Sequence, residues 1–215
     1  MTTLKEQIFE FDRNKAKQLP EDILNTMNRV TVDLKYTKLE NNSLKTGDKA
    51  PGFNLSDHNG ISRPLSEYLN ESLVVLTFYR GGWCPYCNLE LHALQKSLPQ
   101  IKAAGAKLVA ISPESPDHSL STREKNDLAF DVLHDKGNHV ARSFGLEFIL
   151  PEELRPIYGN MGIDIPGHNG DTTFKLPMPA TYIVNQRGEI IYHFVDADYT
   201  KRLEPAKIVA KLTQV

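Results

Sequence analysis

Cysteine is scarce in this chain: two residues in 215, too few to staple a disulfide scaffold. Long apolar runs are missing as well. The longest, Leu73-Val74-Val75-Leu76 broadened by Phe78 and Tyr79, is far too short to cross a bilayer. The opening residues, MTTLKEQIFEFDRNK, mix charges among their apolar side chains and hold no continuous stretch of the secretory kind. No charge dominates either. Lys and Arg number 25 against 27 Asp and Glu, a net charge of −2, which argues against a nucleic-acid or anionic-membrane partner. Internal repeats, low-complexity tracts and a P-loop pattern are all lacking. With no secretory signal, the expected location is cytoplasmic, where a cysteine pair is more often catalytic than structural.

What remains is a chain with 40% hydrophobic residues, enough for one core, and a length that suits one domain with attachments. Residues 1–45 read as a helical N-terminal extension. Pro20-Glu21-Asp22 makes a helix start, and Ile23, Met27, Val30 and Leu34 then share one face, to be packed on the domain or on a second subunit. From residue 46 the pattern changes. Phe53 to Leu55, Leu73 to Tyr79, Lys107 to Ser112 and Phe130 to Leu133 read as strands. Leu91, Leu94, Leu98 and Ile101 mark a helix that Pro99 should kink or weaken. Further helices are expected near 118–127, near 137–144 and from Pro205 to Leu212. Ala180 to Val184 and Glu189 to Val195 form a hairpin. Residues 146–178, with four prolines and four glycines, read as an irregular lid or dimer contact. The fold class is α/β, a mixed sheet between helices.

Both cysteines lie in FYRGGWCPYCNLEL, residues 78–91. Cys84 falls where a strand ends and a helix begins, with Pro85 suited to the first helical position. Free N–H groups there stabilise a thiolate, the form in which cysteine reacts. Cys87 starts the inward stripe continued by Leu91, Leu94, Leu98 and Ile101, so Cys84 is expected at the exposed tip and Cys87 on the buried face. A structural turn and half a zinc site are the competing readings. The zinc reading has His92 nearby but neither a second Cys-x-x-Cys nor a paired-His motif. Neither a metal nor another cofactor is expected. Trp83 and Tyr86 offer either a flat apolar contact for a partner or loop packing. Gly81-Gly82 reads as backbone freedom at a tight turn, and His118 and His193 as ordinary.

WCPYC resembles the active site of thioredoxins and glutaredoxins. TGDKAPGFNLSDHNG, VVLTFYR, KLVAISPES and FDVLHDKGNHVARSFGL resemble successive segments of the peroxiredoxins, of the alkyl hydroperoxide reductase and thiol-specific antioxidant type. The resemblance runs from about residue 46 to the C-terminus. It implies a thioredoxin-like fold over 46–215, with a central mixed sheet flanked by helices. Peroxiredoxins carry Pro-x-x-x-Thr/Ser-x-x-Cys. Laid on this chain, the proline falls on Arg80, the threonine on Cys84, and the peroxide-attacking cysteine on Cys87. A further family arginine falls on Pro179. Arg80 is a replacement cation, or it points to solvent or holds the loop. Glu90 matches a family glutamate, or is a solvated helix acid. In thioredoxin-like proteins the Pro179 position is a cis-proline facing the cysteines.

The resemblance implies a thiol peroxidase with an antioxidant role, recycled by thioredoxin or another dithiol. A thioredoxin-like disulfide reductase and a non-enzymatic redox sensor are the alternatives. Cys84, Cys87, Arg80 and Pro179 are the expected catalytic residues, Trp83 and Tyr86 the expected substrate contacts, and a homodimer is possible. Thioredoxin logic puts the attacking sulfur on Cys84; peroxiredoxin alignment puts it on Cys87.

Overall fold

A computed structural model describes residues 2–214. The chain begins with helices α1 (Leu4–Gln18) and α2 (Glu21–Tyr36). Thr3 and Glu6 close a reciprocal capping box at the start of α1, which satisfies backbone N–H groups that a helix end leaves open. Then follow β1 (Asn54–Asp57), β2 (Ser62–Pro64), α3 (Leu65–Glu71), β3 (Leu73–Phe78), α4 (Pro85–Ala103), β4 (Ala106–Ser112), α5 (Pro116–Lys125), β5 (Asp131–His134) and α6 (His139–Ser143). β6 (Glu147–Ile149), α7 (Leu154–Asn160), α8 (Ile165–Asn169) and β7 (Lys175–Pro177) occupy the segment expected to be irregular. The chain continues as β8 (Ala180–Val184), β9 (Ile190–Val195) and α9 (Pro205–Leu212).

Seven strands form one sheet in the order β2-β1-β5-β4-β3-β8-β9. β3, β4 and β5 run parallel, while β8 joins β3 antiparallel and β9 closes the expected hairpin. The sheet is therefore mixed, with β3 near its centre. Both faces of β3 are covered, which is why its sequence reads as an unbroken apolar run. Val74, Leu76 and Phe78 join one core with Phe144, Met178 and Tyr182. Val75 and Tyr79 join the other, together with Cys87, Leu91, Leu94, Leu98 and Ile101 of α4 and Ile208 of α9.

One local expectation, that residues 146–178 are irregular, is corrected, and α4 continues past its proline. α4 runs unbroken through Pro99 to Ala103. Pro99 is exposed, so water can reach the carbonyl whose hydrogen bond the ring removes, while buried Leu98 and Ile101 hold the last turn to the core. The segment 146–178 is ordered as two strands and two helices. Its prolines sit where no helical N–H is lost: Pro156 and Pro166 lie in the first turns of α7 and α8, and Pro177 ends the two-stranded sheet β6-β7. These elements are three to seven residues long, too short for periodicity to register.

This segment and the N-terminal helices build a third core. Met27 and Val30 of α2 pack with Leu150, Leu154, Tyr158, Ile165 and Leu176. α1 is tied down at the other end of the molecule, where the Leu4 and Lys5 N–H groups donate to the Glu204 carboxylate at 3.2 and 2.6 Å. The chain between α2 and β1 is pinned at Gly145. A Cβ there would lie 2.0 Å from the Asn42 carbonyl oxygen, and its φ of 70° is a conformation side chains avoid. Beside it the Leu44 N–H donates to the Phe144 carbonyl. Gly145→Ala is expected to cost about 1–3 kcal/mol of unfolding free energy in urea titrations, because the backbone must shift to admit the methyl group.

Candidate functional site

The parallel ladder extends one residue past β3, where the Tyr79 N–H donates to the Ile111 carbonyl at 3.0 Å. Arg80-Gly81-Gly82-Trp83 then turns the chain into α4, with Cys84 as its N-cap and Pro85 first in the helix. Both glycines are required. A Cβ on Gly81 would lie 2.2 Å from the Trp83 indole nitrogen, and one on Gly82 would lie 1.9 Å from Thr122 Oγ1. The turn is held by the Cys84 N–H on the Gly81 carbonyl and by Asn88 Nδ2 on the Gly82 carbonyl at 2.7 Å.

The two thiols are free and buried, Cys84 being 2% exposed and Cys87 fully covered. The expected exposed tip is thus corrected. The tip of α4 is covered by elements remote in the chain: α1, Tyr158 of α7, and Tyr199 beyond β9. The two sulfurs differ sharply in acidity. Burial opposes charge on Cys84, but a hydrogen bond from the Cys87 thiol and the charges of Arg80 and Arg202 outweigh it. The Cys84 pKa falls to about 6. Burial and the hydrogen bond to Cys84 push the Cys87 thiol well above its ordinary value.

Arg80 does not face solvent. It is 1% exposed, donates to the Tyr158 hydroxyl at 3.0 Å, and has its guanidinium carbon 4.6–5.6 Å from the ring centres of Trp83, Tyr158 and Tyr199. Its Nε has no protein acceptor, and neither has the Trp83 indole N–H. A second cation was not anticipated. Arg202, between β9 and α9, places Nη2 3.5 Å from Cys87 Sγ and Nε 2.7 Å from Glu90 Oε2. Nothing in TKRLEP distinguishes Arg202 from a solvated basic residue, and it reaches the cysteines only through the fold. Glu90 is accordingly no solvated acid. It is 2% exposed, and burial raises its pKa to about 7 against the pull of Arg202.

Cys84, Arg80, Trp83 and Tyr86 converge on one cavity of about 320 Å3, walled also by Phe11, Tyr158 and Met161. Its lining is mainly apolar. Cys87 is not part of that lining. Tyr86 docks α1: its hydroxyl donates to Asp12 and accepts from Lys15 at 2.7 Å, and its ring meets Phe11 edge-on. Pro179 is placed differently from expectation. It is buried and its peptide bond is trans, no cis bond occurring among the described residues. It borders a smaller neighbouring cavity with Arg80, Tyr158 and Tyr199, not the cavity holding Cys84. Just before it, the Met178 N–H donates to the Leu146 carbonyl at 2.8 Å. His193 accepts from the Thr46 N–H, and His118 stacks on His168. No cluster of three or more His, Cys, Asp or Glu able to hold a metal occurs among the described residues. None of their helices is long and apolar enough to cross a membrane.

Comparison with known proteins places this arrangement. Peroxiredoxin Bcp of Escherichia coli K12 is 31% identical over 105 residues, 49% of this chain and 67% of that one. The chloroplastic peroxiredoxin Q of Populus jackii is 27% identical over 161 residues, 75% of this chain and 62% of its own. Among solved structures, peroxidoxin BcpB from Mycobacterium tuberculosis superposes with a TM-score of 0.63 at 22% identity, covering 80% of this chain and 98% of that one. A PrxQ mutant from Xylella fastidiosa gives 0.63 at 15% identity, covering 80% and 96%. The fold is thioredoxin-like, a central mixed sheet flanked by helices, as the sequence implied. The pattern of the AhpC/TSA family matches residues 46–193, and the chain belongs to that family.

Proposed function

We propose that this chain is a thiol peroxidase in which Cys84 attacks the peroxide and Cys87 resolves the product. The single observation that carries this reading is the position of Cys84. It is the sulfur that lines the cavity, and it is the one whose thiolate is stabilised near neutral pH. Its relatives are named peroxiredoxins, and one neighbouring structure, from Xanthomonas campestris, is described for alkyl peroxide reduction.

The chemistry follows from the groups present. The Cys84 thiolate attacks the nearer peroxide oxygen, the O–O bond breaks, and the sulfur becomes a sulfenic acid. The electron pair of that bond leaves on the distal oxygen, which takes up a proton as alcohol or water. Arg80 Nε and the Trp83 indole N–H are donors without acceptors, on two residues that border the cavity. They supply what the missing family threonine and arginine would have supplied: hydrogen bonds to oxygens that gain negative charge as the bond breaks. Apolar walls suit a peroxide with an organic body. Cys87 then closes the Cys84–Cys87 disulfide, and thioredoxin or another small dithiol reopens it. A reducing compartment such as the cytoplasm fits that cycle.

The disulfide-reductase reading has less support. The thioredoxin-like element at Pro179 is trans and borders the other cavity, not the one that Cys84 lines.

Treating the single variants with peroxide and a sulfenic-acid trap tests the reading. Cys87→Ser should accumulate trapped sulfenic acid on Cys84, and Cys84→Ser should not react faster than a free thiol. Trapping on Cys87 alone would reverse the two roles, and no trapping in either variant would remove the peroxidase reading. Oxidation by peroxide should also follow Cys84 ionisation, rising with pH to a plateau with a midpoint near 6. Arg80→Met removes one stabilising charge, so its midpoint should move upward, and the plateau rate should fall by about 100-fold if Arg80 also holds the peroxide. Stopped-flow Trp83 fluorescence between pH 5 and 9 measures both.

A further inference from the structure

Resolution by Cys87 poses a problem that the attack by Cys84 does not. A thiol must lose its proton to act as a nucleophile. Cys87 is fully buried, and its thiol is held well above the ordinary value by burial and by Cys84. Water is therefore a poor base for it. The ionisable groups surrounding it are Cys84, Tyr79, Arg80, Arg202 and Glu90. Tyr79 is itself fully buried and harder to ionise than a free tyrosine, and the arginines, already protonated, have no site to accept a proton. Glu90 is the remaining group.

Its placement suits the task. Glu90 follows Cys87 by three residues on α4, so the two side chains are neighbours on one helix face. Arg202 spans them, with one nitrogen on the sulfur and another on the carboxylate. The contact with Glu90 is a close ion pair, and Oε2 has no other hydrogen-bond donor, so the carboxylate keeps lone pairs open.

We propose that Glu90 takes the proton of Cys87 as Cys87 closes on Cys84, with Arg202 as the positioning residue that holds thiol and carboxylate together. This rests on Cys84 being the sulfur that attacks first. In the step, Cys84 carries a leaving group, hydroxide in the sulfenic acid or a thiolate in a mixed disulfide. The Cys87 S–H proton passes to the Glu90 carboxylate. The Cys87 electron pair forms the S–S bond, and the bond from Cys84 to the leaving group breaks with its electrons. Glu90 returns its proton to the departing hydroxide or thiolate. The oxidising equivalents come from the peroxide or disulfide that modified Cys84, and nothing else is consumed. The raised carboxyl, titrating at about 7, is matched to giving and taking a proton near neutral pH.

A peroxide-independent probe isolates the step. With 4,4′-dithiodipyridine, attack by Cys84 releases one thiopyridone, and ring closure by Cys87 releases the second. In the unaltered protein the second phase should rise with pH through a midpoint near 7, and the first through one near 6. Glu90→Gln should lower the ratio of second-phase to first-phase rate by about 100-fold at pH 8 and erase the upper midpoint. Glu90→Asp should restore part of the ratio. The sign separates the alternatives. If Glu90 merely neutralised Arg202, its loss would free the guanidinium for the Cys87 thiolate and speed closure. If it were merely structural, both phases would change together. Faster closure, an unchanged ratio, or a second phase with no inflection between pH 6 and 8 in the unaltered protein would each overturn the proposal. The last comparison needs no variant, so it stands even if Glu90→Gln does not fold. Failure of the peroxide reading looks different: the probe reacts in two phases, but peroxide leaves Cys84 reduced.

Discussion

Two buried guanidinium groups are the constraint around which the rest of this site is built. A charge removed from water is tolerated only when partners replace its hydration. Arg80 finds three aromatic rings and the Tyr158 hydroxyl; Arg202 finds Glu90 and Cys87. These partners come from four parts of the chain: the turn before α4, α4 itself, α7 and the loop after β9. The cysteines sit between the two cations, and their unequal acidity follows. Cys84 receives a hydrogen bond and two positive charges, while Cys87 gives up its hydrogen bond to Cys84. Both cations act on Cys87 as well, so it is the hydrogen bond between the thiols and the depth of Cys87 that set the two apart.

The threonine and arginine that the peroxiredoxin resemblance leads one to expect are absent, and two other cations lie beside the sulfurs. The threonine position holds Cys84, and the later arginine position holds Pro179. In their stead, Arg80 enters from the turn before the helix and Arg202 from the far end of the last hairpin. Both cations are buried beside the sulfurs, and they reach them from widely separated parts of the catalytic domain's sequence.

Local chemistry made much of this readable. The apolar run of β3, the N1 proline after Cys84, and the stripe from Cys87 to Ile101 each depend on neighbours within a few residues, and each appears in the structure where periodicity places it. Gly81 and Gly82 likewise act through backbone freedom and close approach. What escaped was long-range. Arg202 lies 115 residues from Cys87. The cover over Cys84 comes from an N-terminal helix whose own sequence shows only a charged, half-apolar surface. The order in 146–178 escaped for a different reason, since its elements are shorter than one helical repeat can reveal.

The docking of α1 over Tyr86 has a kinetic meaning. Exchange between a sulfur and a protein-borne dithiol needs an almost linear approach of three sulfur atoms, and a sulfur 2% exposed offers no such path. A macromolecular reductant would have to wait for the helix to part from Asp12, Lys15 and Phe11's contacts with Tyr86, and from Glu204. Raising the concentration of that reductant would then stop raising the rate. The ceiling would be the frequency with which one helix leaves its seat, a property of the fold rather than of the encounter.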